Sequence, residues 1–174
     1  VSGFMDGRVT LTEGACQMTL IDKLKHKQAA VWELPAWGEV LRQQWESQFA
    51  ADLSRADKTA IGMNQYLWHA FSFNRLPCLQ RERAIQAFHH QSEKNCYVFF
   101  QHSDDALLLE GAGDIAAEDF SQEGDVYVVD REFRWTFVKT HETEWCGPYF
   151  LAASEAMEGE QWQERSEMRL SMPG

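Results

Sequence analysis

The chain has 174 residues, with 27 acidic side chains against 16 basic ones and a formal net charge of −11. That length suits one domain with a core of its own, and a hydrophobic content of 44% with seven Trp is too apolar for a disordered chain. The charge excludes nucleic acid as a default ligand, since phosphate binding relies on clustered Lys and Arg, and apolar runs of about four residues fall far short of the roughly 20 that a membrane span needs.

Val1 to Gln17 show no sustained period and no apolar core of a secretory signal, and are expected to be a disordered or upstream leader. Met18 then opens a helical pattern with Leu20, Ile21 and Leu24 on one side, which places the start of the folded domain there. A longer helix is expected over Ala36 to Leu53, where Trp37, Leu41, Trp45, Phe49 and Leu53 recur every four residues with Val40 beside them. Pro35 stands where a missing amide hydrogen costs nothing. Ser54, with Asp57 three residues on, reads as the cap of a short following helix.

Tyr66 to Phe73 reads as an aromatic-rich strand, broken by Asn74 to Pro77, and Gln80 to His90 as a helix whose closing His89 and His90 favour its dipole. The period then changes to that of sheet. Cys96 to Gln101 and Ala106 to Glu110 flank a hairpin loop at His102 to Asp105, and Gly111 to Gly124 forms a connection with one helical turn at Ala116 to Phe120. Val126 to Val129 and Arg134 to Thr140 bracket a tight turn fixed by Asp130. Tyr127 and Val129 point one way and Val126 and Val128 the other, so this strand is expected to be central and covered on both faces. Cys146 to Phe150 leads into a last strand. Helices first and an antiparallel meander afterwards predict an α+β fold: one domain over residues 18–152, its N-terminal helices packed on a mostly antiparallel sheet, followed by an acidic helix or tail over 153–174.

Several stretches together resemble a family: Met18 to Leu24, Leu34 to Arg42, Tyr66 to Ser72, Gln101 to Ala106, Asp125 to Thr136, Thr140-His-Glu and Cys146 to Phe150. That family is a bacterial one known as domain of unknown function 4275, and the resemblance covers about Met18 to Phe150. It implies a bacterial intracellular protein and carries no assigned activity, hence no catalytic residue.

Chemistry is densest at His102, Asp104 and Asp105 in one loop and at His141, Glu142 and Cys146 after another strand. Histidine and carboxylates at strand ends suit a divalent metal or acid–base work, but turn chemistry accounts for the same residue types, and no motif of fixed metal spacing is present. Cys146 is a nucleophile if His141 lies within reach as its base, and otherwise a buried structural thiol. The four Cys, at 16, 78, 96 and 146, form no CxxC pair and read as reduced thiols in a cytoplasmic protein. No cofactor and no bound metal are expected.

The charge is uneven: six basic residues cancel six acidic ones from Met18 to Ala60, whereas His102 to Glu132 holds ten acidic residues and only Arg131. A protein-binding module without catalysis, meeting a basic protein through Asp104, Asp105, Glu118, Asp119 and Glu123, is the leading expectation. A small metal-assisted or thiol-dependent enzyme using His102, Asp104, His141, Glu142 and Cys146 is the alternative. The sequence sets no oligomeric state.

Overall fold

The computed structural model describes residues 18–142 and 144–153, so the expected leader over 1–17 and all but the first residue of the acidic tail lie outside the described residues. Among the described residues seven strands form one sheet: β1 (Ala30–Leu34), β2 (Leu79–Gln80), β3 (Cys96–Phe100), β4 (Ala106–Glu110), β5 (Val126–Asp130), β6 (Trp135–Lys139) and β7 (Tyr149–Ala152). Their order is β1-β4-β3-β5-β6-β7-β2, with every neighbouring pair antiparallel. The helices are α1 (Leu20–His26), α2 (Gly38–Phe49), α3 (Arg55–Ala60), α4 (His69–Ser72) and α5 (Glu82–His89), with a single 3₁₀ turn at Ala117–Phe120. The fold is α+β.

The central strand β5 is buried at all five positions. Val126 and Val128 face one core, which α1 closes with Leu24, α5 with Ala84 and Phe88, and the 3₁₀ turn with Phe120. Tyr127 and Val129 face a second core, closed by Leu41 and Trp45 of α2, Ile61 and Met63 after α3, and Ala70 and Phe71 of α4. The helices thus cover both faces, because a strand apolar on both sides has to be shielded twice. Trp45 ties its face to the sheet by donating its indole N–H to Thr136 Oγ1 at 3.0 Å.

Local signals set the ends of these elements. Thr19 and Asp22 form a capping box at α1, and Ser54 Oγ accepts the Asp57 N–H at 3.1 Å to start α3. At the β5–β6 turn, Asp130 Oδ2 accepts the backbone N–H groups of Glu132 and Arg134 at 3.0 and 3.2 Å, and the Arg134 guanidinium grips the same carboxylate through Nε and Nη2. Gly38 opens α2 directly against the β3–β4 loop: its N–H donates to Asp104 O at 2.8 Å, and a Cβ there would lie 2.4 Å from Ser103 O, so only glycine fits.

The structure departs from the sequence expectation at three places. Tyr66 to Phe73 is a turn followed by α4, not a strand, with amide bonds running three and four residues back. Leu67, Trp68, Ala70 and Phe71 are its buried positions, a helical spacing that its aromatic content masked. The second difference is that β1 and β2, unexpected from sequence, form the two edges of the sheet; β1 is mostly exposed and does not alternate strictly, and β2 has only two residues. Third, α2 is shorter than Ala36 to Leu53, and Trp37, at its N-cap, is 45% exposed and outside the core.

Trp135 is buried, stacked on Phe150 at 6.0 Å and edge-on to Phe88 at 5.9 Å. Its replacement by Ala is expected to cost about 3–5 kcal/mol, read from the urea unfolding midpoint. Acid dependence follows from Asp130. Burial pushes its carboxyl up, but the Arg134 side chain and the two backbone N–H groups outweigh that and hold it below the usual range. Its contribution is therefore present above the unfolded carboxyl value of about 3.9 and lost as pH falls through the lower folded value. The stability gap between wild type and Asp130→Asn should be widest near neutral pH and close in strong acid.

Candidate functional site

Antiparallel register brings the end of β3, the start of β5 and the end of β6 to one edge of the sheet, since Phe100 faces Val126 and Val126 faces Lys139. Gln101 and His102, Asp125, and His141 therefore emerge side by side. The segment Tyr66 to His69 lies across this edge. Two buried side chains hold it there: Gln101 Oε1 accepts the Leu67 N–H at 3.0 Å and the Tyr127 hydroxyl at 2.5 Å, and that hydroxyl accepts the Trp68 N–H at 3.2 Å. Burial raises the Tyr127 hydroxyl well above its ordinary value, so it remains a donor.

Around the Tyr66 ring stand three histidines, with centroids of His69, His102 and His141 at 5.1, 5.3 and 5.6 Å. Each is oriented differently. His69 Nδ1 meets Ile61 O at 2.7 Å. His141 Nδ1 meets both oxygens of the buried Asp125 carboxylate at 2.9 Å, and the same carboxylate accepts the His141 backbone N–H at 2.9 Å. With Nδ1 committed, the outward nitrogen of His141 is Nε2, 3.8 Å from Glu142 Oε1. His141, Glu142 and Cys146 line a cleft of about 370 Å³ with Tyr66, Trp68, His69, Ser72 and Phe73.

The sequence candidates are thus divided. His102 lies on the other side of Tyr66, in a polar groove with Arg42, Glu39 and Glu46. Asp104 is engaged by Arg42 at 2.8 Å, and that guanidinium also donates to Phe100 O and Ser103 O, so the loop from His102 to Asp105 is clamped to α2. His141, Glu142 and Cys146 line one cleft; His102 and Asp104 do not join them. Asp125, Tyr66, Trp68 and His69 were missed, because only the strand register and the α4 turn bring them to this edge. Among the described residues, no group of three or more His, Cys, Asp or Glu is placed to hold a metal ion.

A family model described as a domain of unknown function, DUF4275, matches residues 18–150. The chain belongs to that family. No curated protein and no solved structure matches it. Four of the stretches that carry the likeness, around Tyr66, Gln101, Asp125 and Thr140, are those that converge at this edge.

The acidic candidates separate in a similar way. Asp119 accepts the Ala116 N–H at 2.8 Å and pairs with Lys27 at 2.7 Å. Asp105 and Glu123 line a groove of about 620 Å³ with Glu33, floored by Leu34, Phe100 and Leu107. Glu118 lines another, of about 560 Å³, with Glu142, Glu144 and Trp145 over Ile85, Phe137 and Pro148.

Tyr127→Phe tests the edge. It strips the Trp68 N–H of its acceptor and the Gln101 Oε1 of one of its two donors inside the core, and should cost about 1–3 kcal/mol in the unfolding free energy.

Proposed function

We propose that this protein is a binding module for a basic protein segment, received in the groove of Glu118, Glu142, Glu144 and Trp145. One observation carries the reading: Trp145, a large aromatic side chain, is 81% exposed at the rim of an apolar-floored groove that also bears three carboxylates. Exposed Trp has no return in folding and is the residue type most enriched at binding hot spots. Carboxylates around it suit Lys and Arg, whose stems pack on an aromatic face while their charges meet the acids. Lys139, which also lines the groove, is turned toward the carbonyls of Glu123 and Gly124, so it does not oppose an incoming cation from the groove's centre.

The net charge of −11 steers such a partner over distance, speeding association at low salt and less at physiological ionic strength, where the Debye length is about 8 Å. A cytoplasmic setting agrees with the free thiols of Cys78, Cys96 and Cys146.

Fluorescence anisotropy with a labelled Lys- and Arg-rich peptide tests the reading. Trp145→Ala and the pair Glu118→Gln, Glu144→Gln should each weaken binding by about tenfold or more. The pair Glu39→Gln, Glu46→Gln, which removes the same charge from the α2 face, should leave it nearly intact. Equal losses from both pairs, or none from Trp145→Ala, would mean diffuse attraction to an acidic protein and no groove.

A further inference from the structure

The two edges of the sheet are finished differently. β2 has two residues and is followed at once by Arg81, whose N–H is taken by Pro148 O, so little backbone is left there to pair. β1 runs in unbroken register with β4 over all five of its residues, and three of them, Ala30, Trp32 and Glu33, are exposed. No other described strand pairs with β1 on its outer side.

The direction of the β1 backbone groups follows from the ladder. Gln101 N–H donates to Asp125 O and Arg131 N–H to Asn95 O, so Asn95, Tyr97, Phe99 and Gln101 turn their N–H and C=O groups to β5, and Cys96 and Val98 turn theirs to β4. Leu109 and Leu107 answer those two, which leaves Leu108 facing β1 and Trp32 facing Leu108. Val31 and Glu33, one residue to either side, therefore direct both backbone groups away from the sheet. The side chains add an apolar row: Tyr97, Leu108 and Trp32 are cross-strand neighbours on the face that α2 covers in part, half-buried at Tyr97 and Leu108 and 46% exposed at Trp32, where the sheet ends.

We propose that this edge pairs with the same edge of a second copy, β1 antiparallel to β1 about a two-fold axis at Trp32, so that two sheets become one. The pairing does not rest on the basic-partner reading. Val31 of each chain exchanges backbone bonds with Glu33 of the partner subunit, and Trp32 stands opposite Trp32 of the partner subunit as a non-hydrogen-bonded pair, where side chains approach most closely. The row of Tyr97, Leu108 and Trp32 then runs on into its own copy, and a strand of the same pattern satisfies backbone and side chains together. Shifting the axis to Glu33 would set two carboxylates directly opposite and bring Pro35, which has no N–H, against Val31. Charge suits a copy: six basic residues cancel six acidic ones from Met18 to Ala60, and Lys23 lines a groove with Glu33 beside this edge, so a second chain meets both signs there.

Sedimentation velocity of the full chain tests the pairing, in a concentration series at low and physiological salt. The mass should rise to twice 20.1 kDa, and more readily at the higher salt, because screening eases repulsion between two chains of charge −11. Trp32→Ala and Glu33→Pro should each weaken self-association by about tenfold or more. The proline removes an outward N–H and no bond to β4, and melting followed by circular dichroism checks that both variants fold. Amide hydrogen exchange reads the register: Val31 and Glu33 should gain protection as the dimer forms, whereas the Trp32 amide, bonded within the sheet, is protected throughout. A chain that stays monomeric into the millimolar range, a dimer that neither variant weakens, or a dimer whose Val31 and Glu33 amides stay unprotected would overturn the assignment.

Discussion

Burial of β5 on both faces is the constraint from which the rest of the structure follows. Val126, Tyr127, Val128 and Val129 alternate between two apolar environments, so neither side of the sheet can be left to water. With neighbours β3 and β6 also buried along most of their length, shielding needs helices above and below. The chain supplies them before β3: α1 and α5 go to one side, and α2 with the Met63 to Phe71 region to the other. A sheet that is wholly antiparallel yet covered twice is unusual in that antiparallel sheets commonly leave one face wet, and the apolar content of β5 is the reason for the departure.

This logic explains which parts of the fold were legible. The alternation in Val126 to Val129, the Asp130 turn, the hairpin between β3 and β4 and the Ser54 cap each lie within a few residues, so local chemistry determines them. Segment Tyr66 to Phe73 failed because its aromatic residues favour strand while its position is set by long-range bonds to Gln101 and Tyr127. There tertiary context overrides propensity. Edge strands β1 and β2 escaped for a different reason: Ala30 to Leu34 alternates weakly and is partly exposed, and Leu79–Gln80 takes its strand character only from pairing with β7.

Charge was legible in amount and not in placement. The ten acids from His102 to Glu132 look unbalanced along the chain, but the fold brings Lys27 to Asp119, Arg42 to Asp104 and Arg134 to Asp130, two of these cations coming from outside the stretch and the third from just beyond it. Asp104 and Asp119 thereby serve the structure. Among the candidates proposed from sequence, Asp105, Glu118 and Glu123 keep faces on open grooves, and the fold adds Glu142 and Glu144 to the acidic rim beside Trp145. Negative potential gathered at one groove attracts a partner more selectively than the same charge spread along a loop.

The groove and the cleft share a wall, since His141 and Glu142 line both. That wall is fixed from beneath by Asp125, the residue immediately before β5, whose carboxylate holds the His141 backbone as well as its ring. The loop that follows β6 is thereby anchored beside a strand buried at every position, although it lies at the surface. Trp145 and Cys146 hang on the same loop, with their backbone N–H groups both bonded to Glu142 O. The groove beside Trp145 and the cleft that holds Cys146 are thus positioned by one carboxylate at the start of the central strand, and any displacement of Glu142, which lines both, would alter the surroundings of His141 in the same movement.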